Sequence, residues 1–362
     1  MVTIDEQISS IEKEIRETPY HKATEHHIGK LRARLSKLKD KLYESAGKGG
    51  SSGGGYAVKK QGDATIVLVG PPSSGKSTLI NKLTNAQSKV APYAFTTVTV
   101  IPGMMEFRHA KIQILDVPGL IKGSGLGKGR GKEVLSVIRG ADLVLILTDI
   151  DRWKEIDVIV HELEGAGVRL DEQPPKIGVD KKVAGGLIIH SNIKQNLSAE
   201  TIKSIAREFR ITNAQITLNE KVTIDGLVDK FSANRVYRKT LLLINKTENV
   251  AANLKNQIAE KYPSALFISS EFDINLDILK TKIWKALEFV TLYLVGPQQT
   301  PNIDNSLVVK TGSSLAEVLV ALGSDKAQNY KKAKIWGTGS KFDGQEVSVS
   351  TLVKEGMQVR FF

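Results

Sequence analysis

Apolar residues recur at spacings of three and four at Ile4, Ile8, Ile11 and Ile15, and after the break TPYH at Ile28, Leu31, Leu35, Leu38 and Leu42. Those periods predict a hairpin of two amphipathic helices over residues 1–46, its stripe packed on the α/β body that follows. The pattern disappears in GKGGSSGGGY, so residues 47–62 read as a flexible linker. From residue 63 continuous apolar runs take over: ATIVLVG, KIQILDV, ADLVLILTDI, TLLLINK and ALFISS. Such runs suit a parallel sheet covered by helices on both faces, an α/β body over 63–165 and 236–290. The interruption at 166–235 is too long for a loop, and it holds strand-like GGLIIH and AQITL and a helix candidate behind an N-cap at Ser198. It is expected to be an inserted α/β subdomain. After DILKTKIWKALEFV, residues 291–362 place SLVVK, AKIWG and MQVRFF around the helix candidate SLAEVLVALG, the pattern of a small mixed sheet holding one helix.

Composition narrows the setting more than the chemistry. The chain has 362 residues, 41% apolar and 25% charged, and no apolar run approaches a membrane span. The first residues are acidic and helical rather than a basic leader, so the expected location is the cytoplasm, with no membrane partner. No cysteine is present, which excludes disulfides and thiolate metal sites. His26 and His27 are neighbours that point to different sides of a helix and read as surface residues. A net charge of +12 suits a polyanionic partner, nucleic acid above all, and equally a soluble protein that happens to be basic.

The sharpest chemical signal is TIVLVGPPSSGKSTLI, in which Gly70, Pro71, Pro72, Ser73, Ser74, Gly75, Lys76, Ser77 and Thr78 follow a strand and open a helix. This is the spacing of a phosphate loop: glycines let backbone N–H groups face phosphate oxygens, and the helix presents its positive end. Lys76 adds a point charge for the β and γ phosphates, and Ser77 a hydroxyl for Mg²⁺. Asp116 ends a strand in DVPG, where its carboxylate could hold the metal through water and Gly119 could offer its N–H to a γ-phosphate. Of the hydroxyls of Thr96 and Thr97 in the intervening segment, Thr97 is the favoured metal ligand. The segment GLIKGSGLGKGRGK, residues 119–132, starts where the γ-phosphate would lie. It reads as a switch that orders on triphosphate and relaxes after hydrolysis, with a permanently disordered basic loop as the alternative.

The segments GPPSSGKS, FTTVT, DVPG and NKTE stand in the order of the GTPase motifs. With YAFTTVTVIPG and DVPGLIKGSGLGKGRG they resemble the Obg superfamily over nearly the whole chain, most closely the archaeal-type Drg group of developmentally regulated GTP-binding proteins. The resemblance implies a P-loop GTPase G domain with an N-terminal helical hairpin, an inserted subdomain and a C-terminal β-grasp unit similar to the TGS domain. It implies GTP and GDP as ligands, Mg²⁺ as cofactor and Phe95 beside Thr96 and Thr97 in the nucleotide site. The base would be met by Asn245, Lys246 and Glu248, with Ser269, Ser270 and Glu271 in the last motif. The group's pattern has Asp where this chain has Glu248. Glutamate keeps the charge and reaches about 1.5 Å further, so guanine stays the expected base and a relaxed ATP/GTP site the alternative.

The resemblance also bears on turnover and partners. Leu120 stands where many GTPases carry a water-orienting glutamine, so slow hydrolysis is expected, with Lys76, Thr97, Gly119, magnesium and backbone amides stabilising charge. Potassium activation is a further expectation, although its users commonly have Asn where this chain has Ser73. Arg130 could act as a finger in cis or be solvated. The β-grasp module implies RNA or ribosome as partner, and eukaryotic relatives imply a stabilising partner protein. Lys326, Lys331, Lys332 and Lys334 beside Tyr330 and Trp336 could stack on RNA or form a solvated face. Two functions stay open: a GTP-hydrolysing switch that docks on RNA or the ribosome, and an RNA-binding module whose nucleotide is structural.

Overall fold

The computed structural model describes residues 3–45, 62–84, 101–116, 137–232, 234–296, 299–323 and 330–362. Residues 47–61 of the linker and the glycine-rich segment 119–132 lie outside these residues. Two compact units share the chain: Met1–Tyr56 with Gly119–Arg139 and Asp157–Lys239, and Ala57–Pro118 with Gly140–Ile156 and Thr240–Phe362.

The second unit is built on the apolar runs. In β1 (Ala64–Val69) all six residues are buried, because the strand lies between two parallel neighbours, β3 (Ala110–Asp116) and β4 (Leu143–Asp149). The path continues through β9 (Val236–Asn245) to β10 (Leu266–Phe267) on one side. On the other, β2 (Ile101–Phe107) runs antiparallel to β3. The apolar runs do not reveal β2, whose Pro102 and Gly103 weaken the strand signal and suit a sheet edge. Helix α3 (Lys76–Thr84) follows β1 and buries Leu79, Ile80 and Leu83 on the sheet. Helix α7 (Ala252–Lys261) follows β9, and α8 (Leu276–Ala286) adds Leu279, Ile283 and Trp284 to the same core. Each such side chain contributes roughly 1.5–3 kcal/mol on burial.

Residues beyond α8 form a second, five-stranded sheet in the order β12 (Ser306–Lys310), β11 (Phe289–Leu294), β15 (Met357–Phe361), β13 (Lys332–Gly337), β14 (Gln345–Ser348). Helix α9 (Leu315–Leu322) begins in a capping box of Ser314 and Glu317 and packs Leu315 and Val318 against Leu292, Ile335, Met357 and Val359. Within this sheet only β11 and β15 are parallel, a mixed β-grasp arrangement.

The first unit holds the hairpin, α1 (Ile4–Glu17) and α2 (Glu25–Ser45). Helix α4 (Glu155–Gly165) leads into it, and β5 (Val168–Leu170) pairs with the start of β9. A three-stranded sheet of β6 (Ile177–Lys181), β8 (Ala214–Leu218) and β7 (Leu187–Ser191) carries α5 (Ala199–Glu208) and α6 (Ile224–Ser232). Here the structure departs from expectation. The apolar stripe of α2 packs on the insertion, where Ile28 and Ala33 join Ile202, Ile205, Leu227 and Phe231 in one core. A helical period states that a face will be buried and leaves the partner undetermined. Buried polar groups then select the partner: Glu25 accepts from the Ser198 amide (3.0 Å), the Thr201 hydroxyl (2.8 Å) and Lys22 (3.0 Å).

Candidate nucleotide site

The phosphate loop is the turn from β1 into α3, and two glycines are required by what surrounds them. A Cβ on Gly70 would lie 1.9 Å from the Leu147 carbonyl oxygen, and one on Gly75, at φ +93°, would lie 2.2 Å from Asn245 Nδ2. Ser73 also takes a left-handed φ of 62°. Lys76 Nζ turns back into the loop and donates to the carbonyls of Gly70 (3.0 Å) and Pro71 (2.8 Å). Pro71 and Ser74 are buried, while Pro72, Ser73, Ser77 and Thr78 are exposed.

The end of β9 reaches this loop from the side. Asn245 Nδ2 donates to Ser74 O (2.9 Å), and Lys246 Nζ to Ser73 O (2.8 Å). Asn245 Oδ1 in turn accepts from the Ser270 amide (2.9 Å) and hydroxyl (3.1 Å). The loop, the Asn–Lys pair and Ser270 thus form one bonded cluster. Ser269 is buried and accepts from Phe272 N, which shapes the turn, whereas Glu271 is exposed. Half-buried Glu248 carries a buried Oε2 with no hydrogen-bond partner among the described residues. Phe95, Thr96, Thr97, Gly119, Leu120 and Arg130 lie outside the described residues.

Asp116, at the end of β3, is buried. Burial pushes its carboxyl above the ordinary value, against the charge of Lys76 and a hydrogen bond from Ser77. Burial likewise pulls Lys76 down, opposed by Asp116 and reinforced by Arg152. Asp116 Oδ1 is buried without a hydrogen-bond partner among the described residues. An unpaired carboxylate oxygen beside a serine hydroxyl is a donor set that suits a hard divalent cation such as Mg²⁺. No group of three or more His, Asp or Glu at metal-binding spacing occurs among the described residues.

Sequence reasoning did not single out Asp149 and Arg152. Buried Asp149 ends β4 and is gripped by Arg152 through Nε (3.2 Å) and Nη2 (2.7 Å), and it lies 3.5 Å from Lys246 Nζ. Burial pushes the Asp149 carboxyl up, but Arg152 and Lys246 outweigh it and hold it below its usual range. The available signal was its place at the carboxyl end of a parallel strand, the edge where open α/β sheets bind ligands.

The C-terminal cations are less free than their sequence suggests. Lys332 and Lys334 face Glu346 at 3.9 and 3.6 Å, Tyr330 contacts the Phe361 ring, and the Arg360 guanidinium lies 5.2 Å from the Trp336 ring centre. Lys326 lies outside the described residues. No helix among the described residues is long and apolar enough to cross a membrane.

A buried parallel strand, a glycine turn clasped by its own lysine, and an Asn–Lys pair bonded to that turn define a P-loop GTPase domain. Residues 65–181 match the family model described as 50S ribosome-binding GTPase, and 184–289 match the C-terminal region of that domain. The chain belongs to the developmentally regulated GTP-binding protein family and is a GTP-binding protein of the GTPase class. It is 38% identical to developmentally-regulated G-protein 3 of Arabidopsis thaliana, covering 96% of this chain and 95% of that one. To human developmentally-regulated GTP-binding protein 2 it is 35% identical, covering 95% of each. A GTP-binding protein of Methanocaldococcus jannaschii shares 42% identity over 98% of this chain and 91% of that one.

Proposed function

We propose that this chain binds guanine nucleotide with Mg²⁺ at the phosphate loop, hydrolyses GTP slowly to GDP and phosphate, and acts as a switch on RNA or the ribosome. The observation that carries the reading is the unpartnered Asp116 Oδ1 beside Ser77 and Lys76, where a cation and phosphate charge would both be met. Ser77 and Asp116 would hold the metal, with Thr97 the further candidate, and bound magnesium would neutralise charge between the β and γ phosphates. Lys76 and the Gly119 N–H would stabilise the transferring group, while the loop amides would hold the phosphates in ground state and transition state alike. With Leu120 in place of glutamine, no side chain at that position aligns water by hydrogen bonding, so turnover is slow without a partner or potassium.

For the base, the unpaired Glu248 Oε2 is an acceptor three residues beyond Asn245, complementary to the two donors on guanine's N1 and exocyclic amine. Adenine lacks that donor pair. Calorimetric titration with GDP and ADP tests this. Guanine nucleotide is expected to bind at least about tenfold tighter, and equal affinities would remove the assignment.

The RNA reading draws on the ribosome-binding description of the matched family model and on one face of the first unit. There His26 and Lys30 of α2 and Arg207 of α5 line a cleft of about 240 Å³ with Glu208 as its acidic residue. Co-sedimentation with ribosomes, under GDP and under a non-hydrolysable GTP analogue at fixed salt, is expected to show tighter association with the analogue. A stabilising partner protein and a cytoplasmic setting complete the proposal.

A further inference from the structure

Every carbonyl from Gly70 to Ser74 is held by a side-chain N–H. Lys76 takes Gly70 and Pro71, Arg152 Nη2 takes Pro72 at 2.7 Å, Lys246 takes Ser73 and Asn245 takes Ser74. Across a planar trans peptide the C=O and the following N–H point in opposite directions. Tying the carbonyls of residues 72 to 74 outward therefore aims the amides of Ser73, Ser74 and Gly75 toward the mouth of the loop, although the Ser74 N–H also leans on Pro71 O at 3.4 Å. Arg152 is the one member of this set outside the loop and the Asn–Lys pair.

Arg152 is itself placed by Asp149. The buried carboxylate accepts from the Arg152 backbone amide (3.0 Å) and grips the guanidinium through both Nε and Nη2. The same carboxylate faces Lys246, so one anion holds two of the three cationic or amide groups on the outer carbonyls in register. A planar guanidinium is suited to this task, since its fork can grip a carboxylate and still donate to a carbonyl. Ser73 needs such a hold, because its left-handed φ is sparsely populated for a side-chain-bearing residue.

We propose that Arg152 and Asp149 are positioning residues that hold the phosphate loop with its carbonyls turned out and its amides turned toward the nucleotide. The inference rests on the nucleotide reading of the loop. Because the amides meet the phosphates in ground state and transition state alike, the pair acts on binding and leaves the chemical step nearly untouched.

The test measures GDP affinity by calorimetry, single-turnover GTP hydrolysis, and melting of the nucleotide-free protein, for wild type, Arg152→Ala, Arg152→Lys and Asp149→Asn. The expected result is a loss of GDP affinity of about tenfold in Arg152→Ala and a smaller loss in Arg152→Lys, which keeps charge but not the fork. Asp149→Asn should resemble Arg152→Ala. The rate constant of the bound complex should stay within about twofold in each variant, and the nucleotide-free melting temperature within about 2 °C in Arg152→Lys, which leaves buried Asp149 a cationic partner. If Arg152→Ala folds poorly, the Lys variant carries the same comparison. Wild-type affinity in both arginine variants overturns the positioning role, as does an affinity loss in Arg152→Lys matched by a large fall in its nucleotide-free melting temperature. Wild-type protein that binds no nucleotide overturns the underlying reading instead.

Discussion

Each unit buries an aspartate among basic groups, and the two are bonded in opposite ways. Asp229 in the first unit fills both oxygens: Oδ2 accepts from Arg169 Nε (2.6 Å), and Oδ1 from Arg169 Nη2 (2.7 Å) and Arg235 Nε (3.2 Å). Arg235 continues to Asp40 (3.0 Å) and to the Ser36 hydroxyl of α2, so the hairpin is locked to α6 by a closed network. Burial and the charge of Asp229 push the neighbouring Tyr237 phenol up to about 12. Asp116 in the second unit keeps one buried oxygen unmatched while its basic neighbour Lys76 is spent on backbone carbonyls. A saturated buried charge is a lock. An unsaturated one, at the carboxyl edge of a parallel sheet, is where a ligand's charge is worth most.

The largest expected effect sharpens the first half of that contrast. Asp229→Ala strands Arg169 and leaves Arg235 with Asp40 as its one carboxylate, and should destabilise the first unit by about 3–5 kcal/mol. Urea unfolding followed by hydrogen exchange would place the loss there, with GDP affinity of the folded protein unchanged; an affinity loss of tenfold would break the division of labour. Next, Lys76→Ala should weaken GDP about a hundredfold, roughly 2.7 kcal/mol, with little change in melting, and abolish turnover. Ribosome binding unchanged in that variant, whatever the nucleotide, would favour a structural nucleotide over a switch.

A smaller effect concerns the hairpin's carboxylate anchor. Burial pushes Glu25 up, but bonds from Ser198, Lys22 and Thr201 outweigh it, so its folded value lies below the ordinary one. Its contribution is therefore full above the unfolded value near 4.3 and is lost as the pH falls through the lowered folded value. Glu25→Gln should cost about 1–2 kcal/mol at pH 7 and flatten the acid limb of the stability profile below the unfolded value. An unchanged acid limb would remove Glu25 from the account. The smallest change is expected from Glu248→Asp, which should raise the preference for GDP over ADP by about threefold, read by competition calorimetry. A fall in that ratio would mean that the longer side chain is the one matched to this site.

Particular residues show how much was legible beforehand. The phosphate loop could be read from spacing because its geometry is local: glycine at 70 and 75, lysine at 76 and a helix start lie within one turn of chain. The pairing of α1 with α2 followed from two apolar periods separated by TPYH. Strand β14, QEVS, was not legible, since four residues alternating between half-buried and exposed carry too little pattern. Arg152 looked like any charged loop residue until Asp149 and Pro72 were brought beside it.

Periodicity, glycine placement and the order of short motifs thus determined the α/β class, the hairpin and the nucleotide loop from the chain alone, because each depends on neighbours within a few residues. Only the tertiary structure decided what α2 packs against, which carboxylates are saturated, and which side chain holds the Pro72 carbonyl. Those outcomes depend on hydrogen bonds and ion pairs between residues up to about two hundred positions apart, whose worth is set by burial and geometry that no local pattern encodes.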